Sequence, residues 1–189
     1  MISRKYNTPR EVQKLIRTFA YNREENGPTV RSAALVWKSK RAHCLESTLL
    51  AAALLEHHGY PPLVMSLESK DRLDHMLYVF KKPTGWGAIS RSREEGLHGR
   101  APRFRALRDL AYSYFDPFID LTGRLTGYAL TNLDHSGTNW RYSSKNLWML
   151  ENFLIELKHK RIPGSQRRYQ KVLEKFKFEG EGPALEGWW

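Results

Sequence analysis

KSKRAHCLESTLLAAALLEHHGYPP, residues 38–62, decides how the chain is read. A basic, turn-like run, Lys38-Ser39-Lys40-Arg41, gives way at Cys44 to a segment dense in Ala and Leu that is apolar on every side over 49–55. That pattern predicts a buried helix over 45–58, because Ala and Leu lose little on becoming helical and an all-round apolar surface has to be covered. Gly59 supplies a stop, and Pro61-Pro62 prevents continuation. Cys44 therefore sits at a helix start, where unpaired N–H groups and the positive end of the dipole favour a thiolate over a thiol. Lys38, Lys40 and Arg41 add positive potential just upstream. The competing account is a small buried hydrophobe, which free cysteines commonly are.

Downstream the texture changes. Leu63-Val64-Met65-Ser66-Leu67 reads as a strand, 75–80 as a second and 86–90 as a third, with Lys82-Pro83-Thr84-Gly85 turning a hairpin between the last two. His75 opens the second strand, and an imidazole on a rigid strand is the usual proton acceptor for a thiol nucleophile. Residues 91–108 are strongly basic and read as a loop, 105–114 as a helix, 122–127 as a turn-rich connection, and 132–142 as a loop. A helix capped by Ser143 or Ser144 is expected to run to about His159, and a basic helix to cover roughly 166–176. Upstream, Thr8-Pro9-Arg10-Glu11 predicts a capping box and a helix start, Asn26-Gly27-Pro28 a break, and 30–37 a further helix.

The order of a Cys heading a buried helix, a His starting a strand and a polar residue on the next strand resembles the transglutaminase-like superfamily of papain-like thiol enzymes. The likeness covers roughly residues 36–92 and rests on Cys44, on His75-Met76-Leu77-Tyr78-Val79-Phe80 and on Trp86-Gly87-Ala88-Ile89-Ser90. A wider pattern, with Ser90-Arg91-Ser92, Leu97-His98-Gly99-Arg100 and Ser113-Tyr114-Phe115, is similar to a bacterial group of that superfamily, extends the likeness to about residue 130 and implies no substrate. The resemblance implies an α+β fold: a Cys-headed buried helix on a small antiparallel sheet, with extra helices at both ends. It implies one domain over 1–178, with its core at about 36–130, a helical extension at 143–178 and a flexible tail at 179–189.

The superfamily's Asp position carries Ser90 here. Three readings follow: Ser90 orients His75, with Glu46 as a helper from the first helical turn; a carboxylate of Glu46, Asp74 or Asp116 takes the role; or the site is inactive. A serine can fix the tautomer of an imidazole but cannot stabilise its charge. The first reading is preferred, giving Cys44, His75, Ser90 and Glu46 as the catalytic set. The function implied is cysteine-dependent acyl transfer, either hydrolysis of an amide or ester or transfer to an amine. The alternative is a non-catalytic basic binding protein on the same fold.

Trp86, Arg91, Ser92, His98 and Arg100 lie on or just past the third strand and are the expected substrate-binding residues. The arginines are suited to an anionic acyl or peptide substrate. His43 adjoins Cys44 but is set aside as a base, because neighbours on a helix start point in different directions. Asp116 and Asp120 are read as a structural turn, and His57 and His58 as belonging to the far end of the helix.

With 189 residues, 41% of them hydrophobic, the chain suffices for one packed domain, and its single cysteine excludes an internal disulfide. No metal-ligand spacing occurs, so neither metal nor cofactor is expected. A net charge of +11 and the basic stretch Arg167, Arg168, Lys171, Lys175 and Lys177, with Tyr169 and Phe176 interleaved, fit contact with nucleic acid or an acidic protein. The polar N-terminus and short apolar runs predict a cytoplasmic protein without membrane attachment. Composition leaves the oligomeric state open.

Overall fold

The computed structural model describes residues 5–70, 74–119 and 123–179. Helix α1 (Pro9–Thr18) starts as expected: Thr8 Oγ1 accepts from Glu11 N–H at 3.3 Å, and Glu11 Oε2 accepts from Thr8 N–H at 3.1 Å. A two-residue strand, β1 (Ala20–Tyr21), follows. Helix α2 (Ala33–Ser39) begins three residues later than the sequence suggests, because Ser32 caps it and donates its hydroxyl proton to Ser143 O at 2.7 Å. Strand β2 (Arg41–Ala42) pairs with β1 in parallel. Helix α3 (Cys44–Leu55) buries every residue from Leu45 to Leu55. It ends in a 3-10 turn, Glu56–His58, and the left-handed Gly59 at φ 79°.

The three predicted strands are present as β3 (Leu63–Ser69), β4 (His75–Lys82) and β5 (Gly85–Ile89). They belong to a larger sheet than expected, with β6 (Arg100–Phe104), β7 (Leu125–Asn132) and β8 (Lys160–Arg161) in the order β6-β5-β4-β3-β7-β8, every neighbour antiparallel. The stretch read as a basic loop thus contains an edge strand, where Pro102 is tolerated. The stretch read as a turn is the start of β7. Gly127 sits there because a Cβ would meet Glu68 Oε2 at 3.0 Å and His159 Cβ at 3.1 Å, a close approach rather than a turn.

Helix α4 spans Leu107–Tyr112, α5 Trp148–Ile155 and α6 Gln166–Glu179. Helix α5 is shorter than expected, and the C-terminal part adds β8 to the sheet as well as helices. The expected partner of Asp116, Asp120, and residues 180–189 of the expected tail lie outside the described residues.

Both faces of the central strands are covered, which is why β3 and β4 read as continuous apolar runs rather than alternating ones. On one face Val64, Met76, Tyr78, Phe80 and Ile89 pack against α1, α2, α3 and α5. On the other, Met65, Leu67, Leu77, Val79 and Ala88 meet Leu110, Tyr114, Phe115, Ile162 and the apolar side of α6. Leu49, Leu50, Leu54 and Leu55 are fully buried, each stabilising the fold by about 1.5–3 kcal/mol. The fold is α+β, and among the described residues no helix is long and apolar enough to cross a membrane. This architecture brings the N-terminus of α3 to the edge of the sheet where β4 starts and β5 ends.

Candidate active site

Cys44 is the first residue of α3 and is partly buried. Its carbonyl accepts from Ser47 Oγ at 2.8 Å and Thr48 Oγ1 at 2.9 Å. Thr48 Oγ1 also lies 3.2 Å from Met76 O, so one hydroxyl ties the helix start to β4 beside His75. Ser47 Oγ in turn accepts the Arg91 N–H at 3.2 Å, fixing the chain that leaves β5 against the same turn.

His75 is 4% exposed, and its Nε2 lies 2.8 Å from Leu97 O and 3.2 Å from Ser90 Oγ. A carbonyl only accepts, so Nε2 carries a proton, and Nδ1 is the nitrogen that can take one up or give one away. Ser90 Oγ gives its own proton to Met76 O at 2.9 Å and therefore faces His75 as an acceptor. Gln13 on α1 holds Ser90 in place from both sides: its Nε2 donates to Ser90 O at 3.0 Å, and its Oε1 accepts Ser90 N–H at 3.1 Å. His75 acts on the Cys44 thiol through hydrogen bonding and charge, both of which lower its pKa, and with Nε2 engaged by Leu97 O the ring atom left for the sulfur is Nδ1.

His43 acts on the same thiol: its hydrogen bonding and charge lower the Cys44 pKa, as those of His75 do. The expectation that His43 points elsewhere is corrected: it is the N-cap, with φ −92° and ψ −173°, so it lies outside the helix and its side chain does not follow the helical rotation. Its ring makes no cap hydrogen bond to the first turn; Nε2 instead meets Thr29 O at 2.8 Å, so the segment before α2 holds the ring. Burial alone would push the Cys44 thiol up, but the hydrogen bonds and positive charge of His43 and His75 hold it well below its ordinary range. Burial likewise opposes charging of His43, yet the hydrogen bond to Cys44 and the charges of Cys44 and Glu46 carry it up to about 9.

Glu46 is fully buried, but it serves His43 rather than His75. Its Oε1 accepts from Thr29 Oγ1, Arg31 N–H and Arg31 Nε, and its Oε2 from Asn22 Nδ2, Arg31 Nη2 and His43 N–H. These bonds saturate the carboxylate, so the expected helper role toward His75 is corrected. The other carboxylates considered are also engaged elsewhere. Asp74 accepts from Ser69 N–H at 3.4 Å, and Asp116 forms a bidentate pair with Arg168, both contacts at 2.7 Å.

Of the expected substrate-binding residues, Arg91 is tied to the first turn of α3 through its backbone N–H on Ser47 Oγ. Its side chain and Cys44 both lie within electrostatic reach of Tyr21, and its Nη1 donates to Ser92 O at 3.0 Å. Ser92 is buried and shapes the turn by accepting Glu94 N–H. His98 is buried against Ser92 O and Arg91 Nη1, and burial lowers its pKa.

Arg100 is a correction: it is 5% exposed, and its five N–H groups are spent on Ser113 Oγ, His98 O, Gly99 O, Gly96 O and Ser113 O, leaving none for an anion. Trp86 is another. It pairs with Lys81, six residues along β4 from His75, which places it roughly 20 Å from the thiol. There it lines a cavity of about 250 Å³ with His58, Tyr60, Phe80 and Lys81.

Among the described residues no group of three or more His, Cys, Asp or Glu is arranged to hold a metal ion. No protein-family model matches the sequence, and no curated protein matches it. The chemistry the site can perform rests on its own residues: a thiol at a helix N-terminus, two imidazoles that lower its pKa, and a carbonyl fixing the tautomer of the one on the sheet.

Proposed function

We propose that the chain is a cysteine-dependent acyl-transfer enzyme built on a transglutaminase-like core. The observation that carries this reading is Cys44 at the head of α3, whose first turn is tied through Thr48 Oγ1 to β4 beside His75, a buried imidazole whose Nε2 is held by the Leu97 carbonyl. A thiol pKa lowered by His43 and His75 agrees with it. The thiol proton passes to Nδ1 of His75. The sulfur attacks an amide, ester or thioester carbonyl, a C–S bond forms, and the carbonyl π pair moves to oxygen. The first N–H groups of α3, which lack intrahelical acceptors, are placed to receive that charge. Collapse breaks the bond to the leaving group, which takes the proton from His75. Water or an amine, losing its proton to His75, then releases the acyl group.

Alkylation of Cys44 by iodoacetamide across pH tests the reading. A depressed thiol reacts at nearly its full rate down through pH 7 and slows only below that, as the thiolate is protonated. The matching result is one acyl group added from an activated ester, seen by intact mass and absent in Cys44→Ala. A rate that rises only near the ordinary thiol pKa of about 8.5 would end the proposal.

A second reading, contact with nucleic acid or an acidic protein, is favoured by α6. Its Tyr169, Val172 and Leu173 face the core while Arg167, Lys171 and Lys177 are exposed. Binding that weakens steeply with added salt is its expected signature.

A further inference from the structure

Resting on the acyl-transfer reading, we propose that His43 is a second catalytic imidazole: a fixed cation whose Nδ1–H hydrogen-bonds to the Cys44 sulfur while the proton stays on nitrogen, leaving His75 to carry the mobile proton. The carboxylate that is missing behind His75 stands instead behind His43.

The two rings are held alike but stand among different charges. His43 Nε2 lies 2.8 Å from Thr29 O, so that nitrogen is a donor and Nδ1 is the one left for the adjacent thiol, as in His75. Around His75 Nε2 the partners are uncharged, the Leu97 carbonyl and the Ser90 hydroxyl. Around His43 Nε2 there are two carboxylate oxygens, Glu46 Oε1 at 3.7 Å and Glu24 Oε1 at 3.8 Å, with Glu151 of α5 also within electrostatic reach. Arg31 is the cation on this side, and it spans both oxygens of Glu46, with Nε on Oε1 at 2.7 Å and Nη2 on Oε2 at 2.8 Å, so it offsets part of the charge that His43 meets while Glu24 adds to it. Glu46 itself cannot move, because six hydrogen bonds from Asn22, Thr29, Arg31 and His43 fix it with no exposed surface. A buried, immobile carboxylate beside a ring that is 13% exposed favours the imidazolium strongly. An upward shift of His43 to about 9 agrees with this.

The proton balance is simple. The Cys44 S–H bond breaks, its electron pair stays on sulfur, and its proton goes to His75 Nδ1 and later to the leaving group. His43 neither gains nor loses a proton, and its role is to stabilise the thiolate in every step in which one is present.

The test uses the full chain. In the wild type, an NMR titration of the imidazoles is expected to show His43 still protonated at pH 8. In His43→Gln, iodoacetamide alkylation at pH 6 is expected to slow by about tenfold or more, with the profile moved to higher pH. A wild-type His43 that loses its proton below pH 7 overturns the proposal without recourse to any variant. So does a His43→Gln protein that keeps both a wild-type melting temperature and the wild-type alkylation profile, and in that case the acyl-transfer reading stands on His75. An ordinary thiol profile in the wild type would overturn that reading itself, and this proposal with it.

Discussion

The Ser90 hydroxyl has one proton, and it goes to the Met76 carbonyl, so toward His75 the oxygen only accepts. The shorter contact to His75 Nε2 comes from the Leu97 carbonyl, 2.8 Å against 3.2 Å, and a backbone atom survives any substitution at 90. Ser90→Ala removes a neutral hydrogen bond of about 1 kcal/mol and is expected to slow Cys44 alkylation at pH 6 by less than about tenfold. A hundredfold loss would mean that the serine alone holds the ring.

This is also the limit of what position 90 could disclose in the sequence. The residue type named a possible partner of His75, but the stronger acceptor is a main-chain group of a loop residue and has no residue signature. Cys44 and His75 were legible because helix and strand patterns place them. His43 was not, because its geometry depends on being a cap, one residue outside the periodic pattern.

At the scale of elements, the first turn of α3 is fixed by the segment that precedes α2. Arg31 reaches Glu46 with Nε at 2.7 Å and Nη2 at 2.8 Å, and also donates to Arg41 O and Ser39 Oγ. Arg31→Ala leaves a buried carboxylate without its cation and is expected to cost about 3 kcal/mol in urea unfolding. Burial raises the Glu46 pKa, but Arg31 and His43 more than offset it. Its folded value therefore lies below its unfolded one, so its stabilisation is present above the ordinary carboxylate range and is lost as pH falls through the folded value. The Arg31→Ala loss is accordingly largest near neutral pH and shrinks in acid. Glu46 was readable as a first-turn acid, whereas its pairing spans fifteen residues of sequence through a loop, and no periodicity reports that. Strands β6 and β7 escaped for similar reasons: one is a basic edge, and the other begins at glycines that look like a turn.

Across the whole molecule, two apolar layers share one sheet, and the energetic weight lies there rather than in surface ion pairs. The Arg168–Asp116 pair that ties α6 to the end of α4 is 43% and 26% exposed, so Arg168→Ala is expected to change stability by less than about 1 kcal/mol. Leu110→Ala, at a fully buried position beneath the same helix, is expected to cost about 2–5 kcal/mol in the same unfolding measurement.

The Gln13 clasp on Ser90 carries a wider consequence. The surroundings of the sulfur are assembled from α1, the turn before α2, α3, β4, the end of β5 and the loop at Leu97, so no short stretch of chain contains them. A nascent or partly unfolded chain would carry a dull thiol, and only the completed architecture sharpens it. On the acyl-transfer reading, the thiol stays harmless until folding has also brought together the groups that activate it.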